Sequence, residues 1–200
     1  MGRMGRWEPG ARDRLERAAL ELFAEVGFAE ATVPQITARA GLTTRTFFRY
    51  FADKREVLFS GNEIPENAAD LMHTAPPGVA PLALIAERLR IVAETTFEGS
   101  RAQVRGVRAI IQSDEALRER DLKKRGALAA VVRTGFLARG EDPVTAAIAA
   151  DLTVSVLHIA LERWLDDPAD DAAARPLADV VDEVLGASAS LLAARADTRG

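Results

Sequence analysis

Between residues 32 and 51 the chain writes two short helices separated by a turn that a glycine completes, and no other stretch constrains the fold as strongly. Thr32 can cap the first helix, with Pro34 tolerated because a first turn has no intrahelical use for its N–H. Gly41 ends that helix by permitting φ > 0, and Thr43 is placed to cap a second one running to about Phe51. Helix, tight turn and helix thus fall within about twenty residues.

Helical periodicity continues on both sides of this unit. Leu15, Ala18, Ala19, Leu22, Phe23 and Val26 recur at steps of three and four, which predicts a helix over 10–26 stopped by Gly27. Asp53 opens a fourth helix, with Glu56 three residues on to complete a capping box. Gly61 and Pro65 interrupt it, so it ends near Ser60 or runs to about His73 with a kink. Beyond a proline-rich loop at 75–81, helices are expected over 81–97, 101–112, 115–137, 143–165 and 176–195, with Pro81, Pro143 and Pro176 at their starts. No strand and no internal repeat is legible, and the chain reads as all-α.

Composition excludes several classes. Cysteine is absent, so disulfides, thiolate nucleophiles and cysteine metal sites are impossible, and a reducing cytoplasm is the natural compartment. The first residues are polar and arginine-rich, and no stretch approaches the ~20 uninterrupted apolar residues of a membrane span, so secretion and membrane insertion are not expected. Walker, G-x-G-x-x-G, G-x-S-x-G and H-E-x-x-H motifs are missing, and His73 and His158 are the only histidines. An enzyme, a cofactor and a metal centre are therefore not expected.

The net charge of −4 hides a local excess of cations. Through Leu58 there are ten Arg or Lys against eight Asp or Glu, leaving sixteen against twenty-two in the remainder. Arg39, Arg45, Arg49, Lys54 and Arg55 face only Asp53 within 39–55, a density that a phosphate backbone would feel. On a helical wheel Phe47, Tyr50 and Phe51 cluster, while Thr44, Arg45, Phe48 and Arg49 point away. So short a helix must bury its aromatic side, on Leu22, Phe23, Ile36 and Leu42. Its outer face then carries two guanidinium groups one turn apart, as a major-groove reading helix requires, since arginine matches guanine O6/N7 with a bidentate fork. Lys54, in the first turn of the next helix, reads as a phosphate contact.

The stretch 28–58 closely resembles the helix-turn-helix signature of TetR-family transcriptional regulators. Thr32, Val33, Ile36, Ala40-Gly41-Leu42-Thr43, Arg45-Thr46-Phe47-Phe48-Arg49-Tyr50-Phe51 and Asp53-Lys54 carry the resemblance. The run from Arg45 to Phe51 is similar to a subgroup common in actinobacteria. Glu115–Arg118 and Ala160–Leu165 resemble C-terminal stretches of that subgroup, including relatives of the mycofactocin regulator. The resemblance implies that Thr43, Thr44, Arg45, Thr46, Phe48, Arg49, Tyr50 and Lys54 face DNA, and that Thr32 caps the helix crossing the backbone. Three departures stand out: Phe48 in place of the usual tyrosine removes a phosphate hydrogen bond, Arg45 in place of a frequent glycine adds a base contact, and Pro34 replaces a polar side chain.

The resemblance further implies a helix-turn-helix DNA-binding domain over residues 1–60 and a larger helical effector-binding and dimerisation domain over 61–200. Its partners would be a double-stranded palindromic operator, a second copy of the chain and a small-molecule inducer, and its commoner mode is repression. Apolar stripes agree with pairing of two copies: Ile148, Leu152, Val156, Ile159 and Trp164 on one helix, and Leu177, Val180, Val181, Val184, Leu185, Ser188, Leu191 and Leu192 on the last. A monomer could also bury both. Met72, Phe97, Phe136 and Trp164 are candidates to line an inducer pocket, with Gln103, Gln112 or His158 as polar handles; ordinary core packing explains each as well. The Gly61/Pro65 region is a candidate pivot for transmitting binding to the reading helices. The rival reading is a protein-interaction module that keeps the helix-turn-helix shape without reading DNA.

Overall fold

Proline and glycine punctuate the fold where the sequence places them. The computed structural model describes residues 10–59, 64–168 and 173–193, with the backbone alone at 64–66, 192 and 193. Among these it is all-α: α1 (Ala11–Val26), α2 (Val33–Ala40), α3 (Thr44–Tyr50), α4 (Glu56–Phe59), α5 (Ile64–His73), α6 (Pro81–Val92), α7 (Arg101–Ser113), α8 (Glu115–Ala138), α9 (Pro143–Asp166) and α10 (Leu177–Ala193). Pro81 and Pro143 occupy first helical positions, where their missing N–H is harmless.

Three details depart from the sequence reading, and one, the cap of α9, adds to it. The helix expected over 81–97 closes with a π turn at Ala93–Phe97. The N-cap of α9 is Asp142, whose carboxylate accepts from the N–H groups of Val144 and Thr145. Asp53 Oδ1 accepts from Glu56 N at 2.9 Å as a cap should, but the Glu56 carboxylate reaches back to Ala52 N, not to Asp53 N. Pro65 falls in the first turn of α5, where a helix starts, so it kinks no helix interior; Gly61, the other half of the expected pivot, lies outside the described residues, as does Arg195.

The chain divides into two compact units. The first joins Met1–Asn62 to Gly106–Arg120, and its core runs from Leu15, Leu22 and Phe23 of α1 through Ile36, Phe47 and Phe51 to Ile111 and Leu117. The second comprises Glu63–Arg105 and Asp121–Gly200, built on Leu84, Leu89, Phe97, Phe136, Val156, Trp164 and Val181. Two arginines of α7 fasten the C-terminal end of α9 in this unit. Arg101 donates to the carbonyls of Trp164 and Asp167, and Arg105 to that of Leu165, satisfying acceptors that a helix end leaves orphaned.

By length and mean hydropathy α9 could cross a membrane. Here Ala146, Ala150, Val156 and Ala160 are buried, α9 packs on α6 and α10, and Asp151 interrupts the apolar run. Its apolarity is that of a core helix with one exposed flank, where Val144, Ile148 and Ile159 are 67%, 60% and 44% exposed.

Candidate nucleic-acid interface

Local chemistry fixes both helices of the motif. At the start of α2 the Thr32 hydroxyl accepts from Gln35 N, and the Gln35 side chain accepts from Thr32 N at 2.9 Å, a reciprocal capping box. At its end Gly41 adopts φ 65°, and Leu42 N returns to Thr37 O at 2.8 Å. This closure satisfies the last carbonyls and turns the chain toward α3. Arg14 donates to Ala40 O, tying α1 to the same turn. Thr43 then caps α3, accepting from Thr46 N at 3.2 Å.

The two sides of α3 separate as the wheel predicts. Phe47 and Phe51 are 0% and 1% exposed, with ring centroids 5.2 Å apart, in the cluster that holds Leu22, Phe23 and Ile36. Leu42 and Tyr50 pack on its edge. Thr43, Thr44, Arg45 and Arg49 are exposed, Phe48 is 58% exposed, and Thr46 is half-buried. A phenylalanine more than half exposed beside two exposed arginines leaves an apolar and cationic surface one short helix long. Such a surface can touch a thymine methyl and fork onto guanine.

The cations between 39 and 55 do not act alike. Arg39 forms a two-pronged pair with Glu25 of α1, at 2.7 and 2.5 Å. The hydrogen bond from Arg39 chiefly holds the Glu25 carboxyl below its usual pKa, and Glu25 raises that of Arg39 in return. Arg49 donates to the Tyr50 hydroxyl at 2.9 Å and lies 4.8 Å over its ring. Arg45 and Arg55 are exposed.

Lys54 departs most from expectation. Its ammonium donates to three carbonyls, Phe28 O at 2.7 Å, Ala29 O at 3.0 Å and Ala31 O at 2.8 Å, and sits 4.5 Å from the centre of the Phe28 ring. An ammonium has three N–H donors, and all three are engaged. The phosphate contact expected of Lys54 does not fit this geometry; the side chain fastens the loop after α1 to the segment after α3. Sequence spacing could not reveal it, because the partners lie more than twenty residues upstream.

The expected pocket residues are only partly brought together. Met72 and Phe136 line a narrow apolar cavity of about 40 Å³ in the second unit, together with Leu84, Arg88, Leu128 and Thr153. Phe97 and Trp164 are core residues outside that lining, and Trp164 Nε1 donates to Arg175 O. Gln103 and Gln112 are exposed, and His158 is a half-buried neighbour of Glu162, so none of the three serves the cavity as a polar handle. Its polar members are Arg88 and Thr153, neither of them expected; for Arg88 a signal exists, because it falls in register with Leu84 and Val92 on the buried side of α6.

Comparison with known proteins agrees with this geometry. Residues 16–60 match the model of bacterial regulatory proteins of the tetR family. The chain is 36% identical over 96 residues to the HTH-type transcriptional regulator TcmR of Streptomyces glaucescens, covering 48% of this chain and 42% of TcmR. It is 38% identical over 55 residues to the putative mycofactocin biosynthesis transcriptional regulator MftR of Mycobacterium tuberculosis, 28% of either protein. The matches thus span less than half the length of these relatives. Over nearly the whole fold it is similar to NalD, the secondary repressor of the MexAB-OprM multidrug efflux pump in Pseudomonas aeruginosa, with a TM-score of 0.59 at 18% identity, covering 87% of this chain and 94% of NalD.

Proposed function

We propose, from the match of residues 16–60 to the tetR family of bacterial regulatory proteins, that the chain is a DNA-binding transcriptional regulator of that family, a cytoplasmic, ligand-responsive repressor that binds a palindromic operator as a homodimer. The observation that carries this reading is the outer face of α3, where Arg45, Phe48 and Arg49 are exposed over the buried anchor of Phe47 and Phe51. Thr43, Thr44, Thr46 and Tyr50 complete the face toward the duplex, and Thr32 holds α2 at the backbone. Residues 1–60 are the reading head, with 106–120 joined to its compact unit, and the remainder of 61–200 holds the effector and the partner subunit.

Dimerisation follows from what one reading helix can achieve. A single half-site is short, and two heads about one turn of DNA apart supply the affinity that one lacks. The exposed flank of α9, with Val144, Ile148 and Ile159, supports a two-fold interface in which α9 and α10 meet their copies. An inducer acts if it binds better to a dimer whose heads are wrongly spaced, because it then lowers the DNA-competent population. Selection of bound duplexes from a random pool tests the whole reading. A palindrome with half-sites about one helical turn apart is the expected outcome; failure to enrich any duplex refutes it.

A further inference from the structure

Phe48 is the exception among the phenylalanines of this chain. All eight lie among the described residues, and seven are between 0% and 7% exposed, whereas Phe48 is 58% exposed. It is nonetheless firmly seated. Its ring meets that of Phe47 edge to face, with centroids 5.5 Å apart and planes at 85°, and Phe47 is wholly buried. One side of the Phe48 ring thus rests on the core of the head while the other is held toward solvent.

A single exposed aromatic is ordinary on a protein surface; the surroundings of this one give it a meaning. Thr44 and Arg45, one turn earlier, and Arg49, the next residue, are all exposed. No acidic residue stands between Glu30 and Asp53. The face therefore suits a polyanion that also offers an apolar point of contact. A phosphate is not that point, because a phenyl ring has no hydroxyl with which to donate to it and would strip water from an anion without compensation. The base edges of the major groove present donors and acceptors, which the ring cannot pair, and one apolar group, the C5-methyl of thymine.

We infer that Phe48 is a base-reading residue that selects thymine by its C5-methyl group, beside the base that Arg45 reads. The inference rests on the regulator reading above and names what its recognition helix reads at one step. The missing hydroxyl, which removes a phosphate hydrogen bond, moves the side chain from backbone contact to base contact. Its edge-to-face seat on Phe47 orders the ring before DNA arrives, so little rotamer freedom is lost on binding. Arg45 and Phe48 stand three residues apart, about 4.5 Å along the helix axis. With base pairs stacked ~3.4 Å apart, the thymine falls within about two base pairs of the guanine forked by Arg45.

Duplexes that the full chain enriches from a random pool supply the probe. Each thymine of both half-sites is replaced in turn by deoxyuridine, which removes the methyl and keeps every hydrogen-bonding group, and affinity is read by fluorescence anisotropy at fixed salt. One thymine position is expected to lose about fourfold for each half-site altered, the contribution of one buried methyl. Phe48→Ala is expected to bind the thymine and deoxyuridine duplexes alike at that position. An enriched half-site without a methyl-sensitive thymine, or undiminished methyl sensitivity in Phe48→Ala, overturns the proposal. If circular dichroism shows that Phe48→Ala does not fold, position decides: a sensitive thymine more than about two base pairs from the guanine that Arg45→Ala ceases to distinguish also overturns it. A palindrome enriched with no methyl-sensitive thymine defeats this inference alone, whereas failure to enrich any duplex defeats the regulator reading and this one with it.

Discussion

Replacing Lys54 with methionine separates two roles that would otherwise both weaken DNA binding. The substitution keeps the aliphatic stem and removes an ammonium held by three carbonyls at 2.7, 3.0 and 2.8 Å and by the Phe28 ring. A hydrogen bond to a charged group contributes about 1.5–3 kcal/mol. Three on one ammonium are not independent, Ala29 is exposed and its carbonyl can recover water, and the freed side chain regains rotamer entropy. The expected net loss is therefore about 2–3 kcal/mol, nearer to one such bond than to three. For a chain of this length it corresponds to a fall in melting temperature of roughly 5–10 °C.

Duplex affinity measured against salt concentration supplies the second readout. As a fastener of the reading head, Lys54 neutralises no phosphate, so Lys54→Met should weaken all duplexes alike and leave the slope of log K against log salt unchanged. As a phosphate contact it would leave the melting temperature unchanged and flatten that slope by about one unit. Unchanged stability with a flattened slope refutes the reasoning, and would mean that the ammonium leaves its three carbonyls when DNA arrives.

Four further outcomes follow from the same geometry. Arg45→Ala should lower operator affinity by about 1–3 kcal/mol and relax base preference at one position, checked by competition with base-substituted duplexes; an equal loss on every sequence would demote it to a backbone contact. Gly135→Ala sets a Cβ at 2.7 Å from Met72 Cβ and should destabilise by about 1–3 kcal/mol, whereas Gly126→Ala in the same helix meets nothing within 4 Å and should stabilise by about 0.5–1 kcal/mol; urea denaturation reads both. Glu25 should titrate below an ordinary carboxylate in NMR and return to it in Arg39→Ala; since its folded pKa is the depressed one, the pair helps stability above the unfolded value and is lost as pH falls through the folded one. Ile148→Glu on the exposed flank of α9 should convert the proposed dimer to monomer in sedimentation without unfolding it, and an unchanged sedimentation coefficient would count against an interface on that flank.

What could be read from the sequence was what is settled within a few residues. Thr32, Gly41 and Thr43 act on N–H and C=O groups at most five positions away, and the alternation of Phe47 and Phe51 with Arg45 and Phe48 is a property of helical pitch. The positions of α2 and α3 and the outward side of α3 were legible for that reason. Partners distant in sequence were not. Arg39 meets Glu25 fourteen residues upstream, and Lys54 meets the loop at 28–31. From the sequence, Arg39 reads as part of a cation cluster that attracts phosphate and Lys54 as a phosphate contact, because nothing local competes for either. Arg88 was overlooked for a different reason: a search for large apolar linings passes over the one core-phase position where a charge replaces an aliphatic side chain. The π turn at Ala93–Phe97 has no composition signal of comparable strength.

These long-range pairings change what the cation-rich segment means. Of the five cations between 39 and 55, Arg39 and Lys54 fasten the head together, one to α1 and one to the loop that follows it. The charge that looked like a diffuse attraction for phosphate is therefore partly scaffold, and on the proposed reading DNA recognition rests on fewer groups held more firmly. Among those, Arg49 and Arg45 differ. Arg49 is already ordered against Tyr50, by a hydrogen bond at 2.9 Å and by stacking at 4.8 Å, so it has less rotamer freedom left to lose on a base edge. Arg45 is exposed with no such support, and must be ordered by the duplex itself. A rigid aromatic anchor behind α3, one guanidinium arranged in advance and one free to adapt would, on the proposed reading, give a head whose specificity depends on Arg45 more than its bare charge suggests.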